Sequence, residues 1–502
     1  MGRRSRAPRV VGVAAAILAT VLASGCGKKK QNETQKPPPG PATPVAPPVA
    51  EPPPPPRASL TADPGGGKGA LVWQARFGGL GRDEPRGLAL TKDGGAVVTG
   101  IFSGKVDFGP GSLEAQALDV FVIRLSEEGK VEWVTALGGG GEDIAGDVAV
   151  DSEGNVIAVG WFSGEMTVGK TQLKSAGADD IYVVKMNAKG EPLWARQLGG
   201  QYTDSAWSVA IAPGDDILIT GNFRDTVNFG DQPLQSKGVE DIFLARLGPD
   251  GATKWSRSFG EIGQDFGRQV AVDSRGDILL AAQFSADVDF GTGKALTAAG
   301  NRDIALVKLD PEGKARWAEG FGNSFNDSVL GLALDPADNI VIGGSFEETL
   351  KVGDTELKSK GRTDAYVARF DPDGKARWAH SWGADREDSV SAVGCDEHGN
   401  VVATGWFVST VDFGGGERIS PNGNQDAFLV KLDASGKHVW SKSFGNRDND
   451  RGRALVVAPD GSSTLAGLYR FDLDLGGPIL NSKHAKNAKI APADVFVVRF
   501  GP

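Results

Sequence analysis

Short apolar runs separated by glycine turns dominate the chain from about residue 70 onward. Val148-Ala149-Val150 is one such run, and Asp151-Ser152-Glu153-Gly154 is the turn after it. Val156 to Phe162 is apolar except for Gly160, and Ile181 to Val184 is apolar again. Asn187-Ala188-Lys189-Gly190 is a second tight turn, and Leu193-Trp194-Ala195 opens a fourth run. Runs of this length between glycine turns favour strands over helices. Continuous apolarity predicts strands buried on both faces, as in sheets stacked face against face. No long segment carries a helical period.

This four-strand pattern repeats. Trp73, Trp133, Trp194, Trp255, Trp317, Trp378 and Trp440 recur at intervals of 60 to 62 residues. Ten residues after each lies an aspartate: Asp83, Asp143, Asp204, Asp265, Asp327, Asp388 and Asp450. Asp119, Asp180, Asp241, Asp303, Asp364 and Asp426 each precede a tryptophan by 14 residues, and Asp494 occupies the same place near the C-terminus. The repeats open on a lone tryptophan strand, Leu71 to Phe77, and finish on a third strand, Asp494 to Phe500. Each end supplies what the other lacks, whereas an open solenoid would need two polar caps. The expected fold is therefore all-β: a seven-bladed β-propeller of four-stranded blades, closed by the N-terminal strand. Closure also removes exposed sheet edges.

The first 69 residues follow other rules. Residues 1–9 carry four arginines and no acid, and Val10 to Ala23 is free of charge. That run is short for a membrane-spanning helix, which needs ~20 residues, and fits a signal peptide. It ends in Leu22-Ala23-Ser24-Gly25-Cys26. Between Pro37 and Pro56, 12 of 20 residues are proline, which predicts a stiff polyproline II spacer. The expected organisation is a signal peptide over 1–25, a tether over 26–69 and the propeller over 70–502.

Two resemblances follow from these residues. Small residues before Cys26 resemble the lipobox of bacterial lipoproteins, which implies cleavage before the cysteine and acylation of Cys26. Gly27 follows it, where an Asp would mark inner-membrane retention, so the resemblance implies the outer membrane. The D-x-x-G-x-x-x-W pattern, the G-x-F step and the V-D-F-G step resemble the SBBP repeat, a seven-bladed propeller repeat of bacterial surface and secreted proteins. Asp310-Pro311-Glu312-Gly313-Lys314-Ala315-Arg316-Trp317 also resembles the tryptophan-docking turn of quinoprotein-type propellers. That family includes an outer-membrane assembly lipoprotein, and its blades are usually eight and shorter.

Chemistry narrows the functions without naming a ligand. The net charge is −10, and loss of the four N-terminal arginines takes it to −14. That balance argues against nucleic acid as a partner. Two cysteines exclude a disulfide framework. His380, His398, His438 and His484 share no repeat offset, and Cys395 falls in an expected inner strand as a buried thiol. No G-x-S-x-G or H-E-x-x-H motif occurs. Asn446, Asp448 and Asp450 alternate like calcium-loop ligands, but Arg451 and Val457 stand where that loop needs Gly and Glu. No catalytic residue, metal or cofactor is therefore expected. The tryptophans read as wedges between blades and the aspartates as loop closures that accept backbone N–H groups. Gly109, Gly169, Gly230, Gly291, Gly353, Gly414 and Gly476 read as positive-φ turn positions.

The expected function is a cell-envelope lipoprotein whose propeller binds or scaffolds a protein or glycan. The alternatives are an outer-membrane assembly factor and a polysaccharide-active lyase or hydrolase. Long loops on a rigid scaffold display side chains best. The candidate binding face is therefore the one built by the loops after each Trp strand and those between the second and third strands, with Tyr202, Phe266, Phe325, Arg386, Arg447 and Arg451. Acyl labelling tests the anchor: Cys26→Ser should leave the protein unprocessed and unlabelled, and normal labelling of that variant would refute the lipobox reading.

Overall fold

The computed structural model describes residues 69–502 apart from 231, 420–423, 447 and 483–491. The signal segment, Cys26, the proline tether, Arg447 and His484 lie outside the described residues. The described chain falls within one compact unit, Pro54–Pro502. Among the described residues there is no helix, and every strand pairing is antiparallel.

Among the described residues the main strands follow the sequence repeat in fours, and those of the first two repeats are joined in one ten-stranded sheet. The first repeat holds Glu84–Leu90, Ala96–Asp107, Ser112–Leu125 and Val131–Gly139, paired in chain order. Five further repeats follow the same plan. The last has three strands in sequence, Arg451–Val457, Ser463–Tyr469 and Asp494–Phe500. Its fourth strand is Leu71–Phe77, with Trp73 opposite Arg499 and Phe77 opposite Val495. Gly69 N–H donates to the Pro502 carbonyl at 3.3 Å, and Gly501 N–H donates to the Ala70 carbonyl at 2.8 Å. The two ends of the repeat region thus share one turn.

Burial explains why the middle strands are apolar throughout. In the fourth repeat, every residue of Ile278–Phe284 and Asp303–Leu309 is buried. No repeat encloses its own core. One apolar cluster joins Val97 and Val122 of the first repeat to Val156 and Tyr182 of the second. Another joins Phe102 and Phe121 of the first repeat to Val495 and Val497 of the last. The first strands stand side by side through the series, and Arg451–Val457 packs against Glu84–Leu90.

The periodic tryptophans lock neighbours together. Trp133 Nε1 donates to the Ala188 carbonyl at 2.9 Å, in a tight turn of the next repeat. Trp194 donates likewise to Pro249 at 3.2 Å, and Trp73 to Glu127 of the first repeat at 2.8 Å. The turn glycine lies against the indole. Gly190 has φ +79°, and a Cβ there would enter the ring of Trp133. Glycine is required twice over, by conformation and by contact. Trp440 meets Gly69, at the turn made by the two chain ends.

A second lattice lies on the tight-turn side. Position five of each third strand's marker series is basic: Arg124, Lys185, Arg246, Lys308, Arg369, Lys431 and Arg499. Lys185 pairs with Asp151 at 2.9 Å and Lys308 with Asp273 at 2.7 Å, all four side chains being buried. Lys185 also donates to the Pro249 carbonyl of the next repeat at 3.2 Å. Removing one partner of such a buried pair costs ~3–5 kcal/mol, because the other charge is left bare.

Deleting residues 70–78 should expose the edge of Asp494–Phe500 and free the first-repeat turn from Trp73. A fall in melting temperature of at least ~10 °C, or aggregation, is expected in thermal denaturation. Deleting residues 30–60 should leave the melting temperature unchanged. Equal melting of the two truncations would overturn the structural role of the N-terminal strand.

Candidate functional site: the mouth of the central channel

The site begins with a repeated irregularity. Every first strand slips register once, three residues after its marker aspartate. The unpaired residues are Arg86, Gly146, Trp207, Arg268, Leu330, Ser391 and Arg453. A β-bulge re-aims the side chain of its extra residue. Here the bulges converge on the space between the first strands. Arg86, Trp207, Arg268, Leu330, Ser391 and Arg453 all line one cavity of about 140 Å³. The space continues inward as a cavity of about 220 Å³ lined by Asp147, Ser208 and Gln269.

Second-strand side chains brace the bulges. Trp207 Nε1 donates to Asn222 Oδ1 at 2.7 Å, and Arg268 Nε donates to Gln283 Oε1 at 2.6 Å. The Trp161 and Trp207 rings lie 4.6 Å apart. Arg268 lies 5.0 Å from the Trp207 ring centroid and 5.4 Å from that of Phe266, while Arg302 covers Phe266 at 4.8 Å. Arg451 stacks over Trp406 at 5.2 Å. Below the bulges, Asp147 Oδ2 accepts from the Ser208 hydroxyl and the Val209 N–H, both at 3.2 Å. Burial pushes the Asp147 carboxyl up to about 6.

The periodic aspartates frame this mouth. Oδ2 of each accepts the N–H of the residue four places earlier: Gly79 to Asp83 at 2.7 Å, Gly139 to Asp143 at 2.8 Å and Gly200 to Asp204 at 2.7 Å. Glu261 to Asp265 is 3.2 Å, Asn323 to Asp327 is 2.9 Å, and Ala384 to Asp388 and Asn446 to Asp450 are both 3.0 Å. Asp448 instead pairs with Arg470 at 3.4 Å. The second aspartate series is buried against a glycine of the fourth strand, as Asp119 is against Gly138. Burial, reinforced by the neighbouring Asp119 charge, pushes Asp143 up to about 8. Burial likewise lifts Asp204, Asp327 and Asp388 to about 7 and Asp265 to about 6.

The expected face residues separate into groups. Arg386 and Arg451 line one depression of about 490 Å³. Phe266 sits between Arg268 and Arg302 and touches the channel mouth through them. Tyr202 is capped by Arg224 at 5.1 Å, and Phe325 stands 39% exposed. On the same side, Leu80 is 77% and Ile262 80% exposed at loop tips. Sequence reasoning passed over Arg86, Trp207, Arg268 and Arg453. Their signal is an offset: three places after a uniform aspartate, the residue type changes in almost every repeat. Burial pushes the Cys395 thiol up, so it stays protonated. His380 is held down by burial beside Trp378, at 5.2 Å. Among the described residues, no three His, Cys, Asp or Glu side chains are grouped to hold a metal ion.

The raised carboxyls make stability pH-dependent. Unfolded aspartates release protons near pH ~4, whereas the folded ones hold them to about 6–8. The folded state binds more protons across that window, so stability falls as pH rises from ~4 to ~8, by ~1.4 kcal/mol per group per pH unit. Thermal denaturation should give a higher melting temperature at pH ~5 than at pH ~8. Asp143→Asn should shrink the difference, and an unchanged difference would show that Asp143 is ionised in the fold.

No family model matches the chain. Over 266 residues, 44% of the chain, it is 22% identical to the uncharacterized WD repeat-containing protein L264 of Acanthamoeba polyphaga mimivirus, covering 19% of that protein. Over 211 residues, 40% of the chain, it is 27% identical to the regulatory protein FlaEY of Caulobacter vibrioides, covering 22% of it. The chain thus spans about a fifth of the length of each of these relatives. Among solved structures, a protein of unknown function from Dyadobacter fermentans aligns over 88% of this chain and 100% of its own at 10% identity, with a TM-score of 0.38. A glucose dehydrogenase aligns over 70% of this chain and 94% of its own at 13% identity, with a TM-score of 0.33. The chain is an all-β protein of repeated, antiparallel strands.

Proposed function

We propose that this chain is a closed, seven-bladed β-propeller that serves as a binding and scaffolding module of the cell envelope. It is held to the membrane by acylated Cys26 and spaced from it by the proline tether. Its partner, a protein or glycan, sits on the loop-rich face over the channel mouth. The pairing of Leu71–Phe77 with Asp494–Phe500 and the packing of Arg451–Val457 on Glu84–Leu90 support closure. The observation that carries the binding role is the divergence of the seven bulge residues. Around them the tryptophans, aspartates and turn cations repeat almost without change, as structural requirements do. A ring of Arg, Gly, Trp, Arg, Leu, Ser and Arg at one offset has no such structural reason. Exposed apolar tips at Leu80, Tyr202, Ile262 and Phe325 on the same side add partner-contacting surface.

Crosslinking in the native envelope tests the face. Tyr202→Ala, Ile262→Asp and Phe325→Ala together should reduce partner capture at least about fivefold without lowering the melting temperature, since exposed tips carry little folding energy. The control pair Lys189→Glu and Glu312→Lys, in exposed tight turns of the opposite side, should leave capture intact. Capture that survives the first set and is lost in the second would place binding on the other face.

A further inference from the structure

We propose that the channel mouth is an oxyanion site, in which Arg86, Arg268 and Arg453 take a carboxylate or phosphate group carried by the ligand. This deepens the reading of the loop-rich face as the binding face and rests on it.

The first argument compares two sets of cations in the same fold. Six of the seven periodic third-strand cations are matched to carboxylates, among them Lys185 to Asp151, Arg246 to Asp216, Lys308 to Asp273 and Lys431 to Asp396, while Arg499 donates to Ser462 Oγ and the Gly94 carbonyl. This chain therefore pairs the charges it uses to hold blades together. The channel arginines are treated differently. Arg268 has Gln283 as its hydrogen-bond partner, a neutral group. Arg86 reaches Glu84 through one terminal nitrogen at 3.5 Å, and its buried Nε has no hydrogen-bond partner. The buried Nε of Arg453 is likewise without a partner. Glu84 is the carboxylate that acts on both Arg86 and Arg453, while Arg82 repels both. Asp147, one level deeper, is already engaged by Ser208 and two backbone N–H groups. Among the described residues, three guanidinium groups therefore line one cavity, with Glu84 beside two of them and Asp147 one level deeper.

The second argument is their dispensability to the fold. The same bulge is occupied by Gly146, Trp207, Leu330 and Ser391 in the other blades, with the same register slip. Arginine is thus not needed to make the bulge. An incompletely paired, partly buried cation weakens a fold, so three of them at replaceable positions point to a ligand that completes the pairing. Guanidinium forks match carboxylate and phosphate geometry and strengthen in a partly desolvated site. Burial lowers all three, with Arg268 pushed down to about 10, so they stay charged at neutral pH. The cavity of about 140 Å³ suits one anionic head group, and the Trp161–Trp207 pair beside it offers an apolar wall to the body that carries it.

The test titrates the purified full-length protein in detergent with citrate and with inorganic phosphate, sodium chloride holding ionic strength constant. Calorimetry and thermal shift are read together. At least one anion should bind saturably. Arg86→Gln with Arg453→Gln should weaken that binding at least about tenfold, as the loss of two charge-assisted contacts implies. The same double variant should melt no lower than the parent without ligand, because it removes unmatched charge. Citrate alone assigns a carboxylate, phosphate alone a phosphate, and a response to both assigns the shared oxyanion chemistry. No saturable binding of either anion, equal binding in the double variant, or a double variant that melts lower than the parent would overturn the proposal. The two readings fail separately. Envelope capture that depends on Tyr202, Ile262 and Phe325 but ignores the double variant and added anions keeps the face and removes the oxyanion site. Anion binding without face-dependent capture does the reverse.

Discussion

The docking of one indole on the next repeat's turn glycine is the contact on which the rest of this structure depends. A four-stranded sheet with apolar residues on both faces cannot bury them alone. Each sheet here needs a neighbour on either side, and Trp133 on Gly190 or Trp194 on Gly251 fixes how that neighbour sits. Burying a tryptophan at such a junction is worth ~3–5 kcal/mol relative to alanine. Trp440 finds its glycine at Gly69 and Trp73 finds its turn at Glu127–Gly129, so the contact also ties the first repeat to the last.

Two polar lattices bracket that apolar layer. On the tight-turn side, the third-strand cation of six repeats binds the carboxylate of its own repeat's first turn and, in Lys185, Lys308 and Arg246, a carbonyl of the next repeat. On the loop-rich side, buried aspartates take backbone N–H groups at the entry to every first strand. These carboxyls sit in so little water that several hold their protons near neutrality. The fold is polar at its two rims and dry between them, with carboxylates matched to cations on one rim and held towards neutrality by burial on the other.

Against this regular frame the channel mouth is the irregular part. The bulge lifts one residue per blade out of sheet pairing, so its side chain contributes little to the ladder and is released from the constraints that keep the other positions uniform. Specific side chains accumulate there: guanidinium groups, an indole, a leucine and a hydroxyl. The surrounding pairs, such as Trp207 with Asn222 and Arg268 with Gln283, keep those groups oriented. A rigid frame that presents one bulged residue from each first strand is well suited to recognition.

Much of this could be read directly from the chain. Strands are local, and apolar runs such as Val156 to Phe162 between glycine turns leave little choice of conformation. The tryptophan and aspartate offsets reveal the repeat because each repeat answers the same packing demand. Positive φ at turn glycines such as Gly109 and Gly169 is also a local property. Arg386 and Arg451 were legible as face residues, yet nothing in the sequence placed them in one depression, since they come from different blades. The arginines at 86, 268 and 453 lie more than 180 residues apart along the chain in every pairing. Only tertiary packing sets the strand of Arg453 against that of Arg86 and brings all three arginines to one cavity. Sequence determined the repeat, its strands and its turns, because those depend on neighbours along the chain. The tertiary structure decided the site, because its cavity exists only where the first strands of separate repeats stand side by side, and a bulge is seen only against its partner strand.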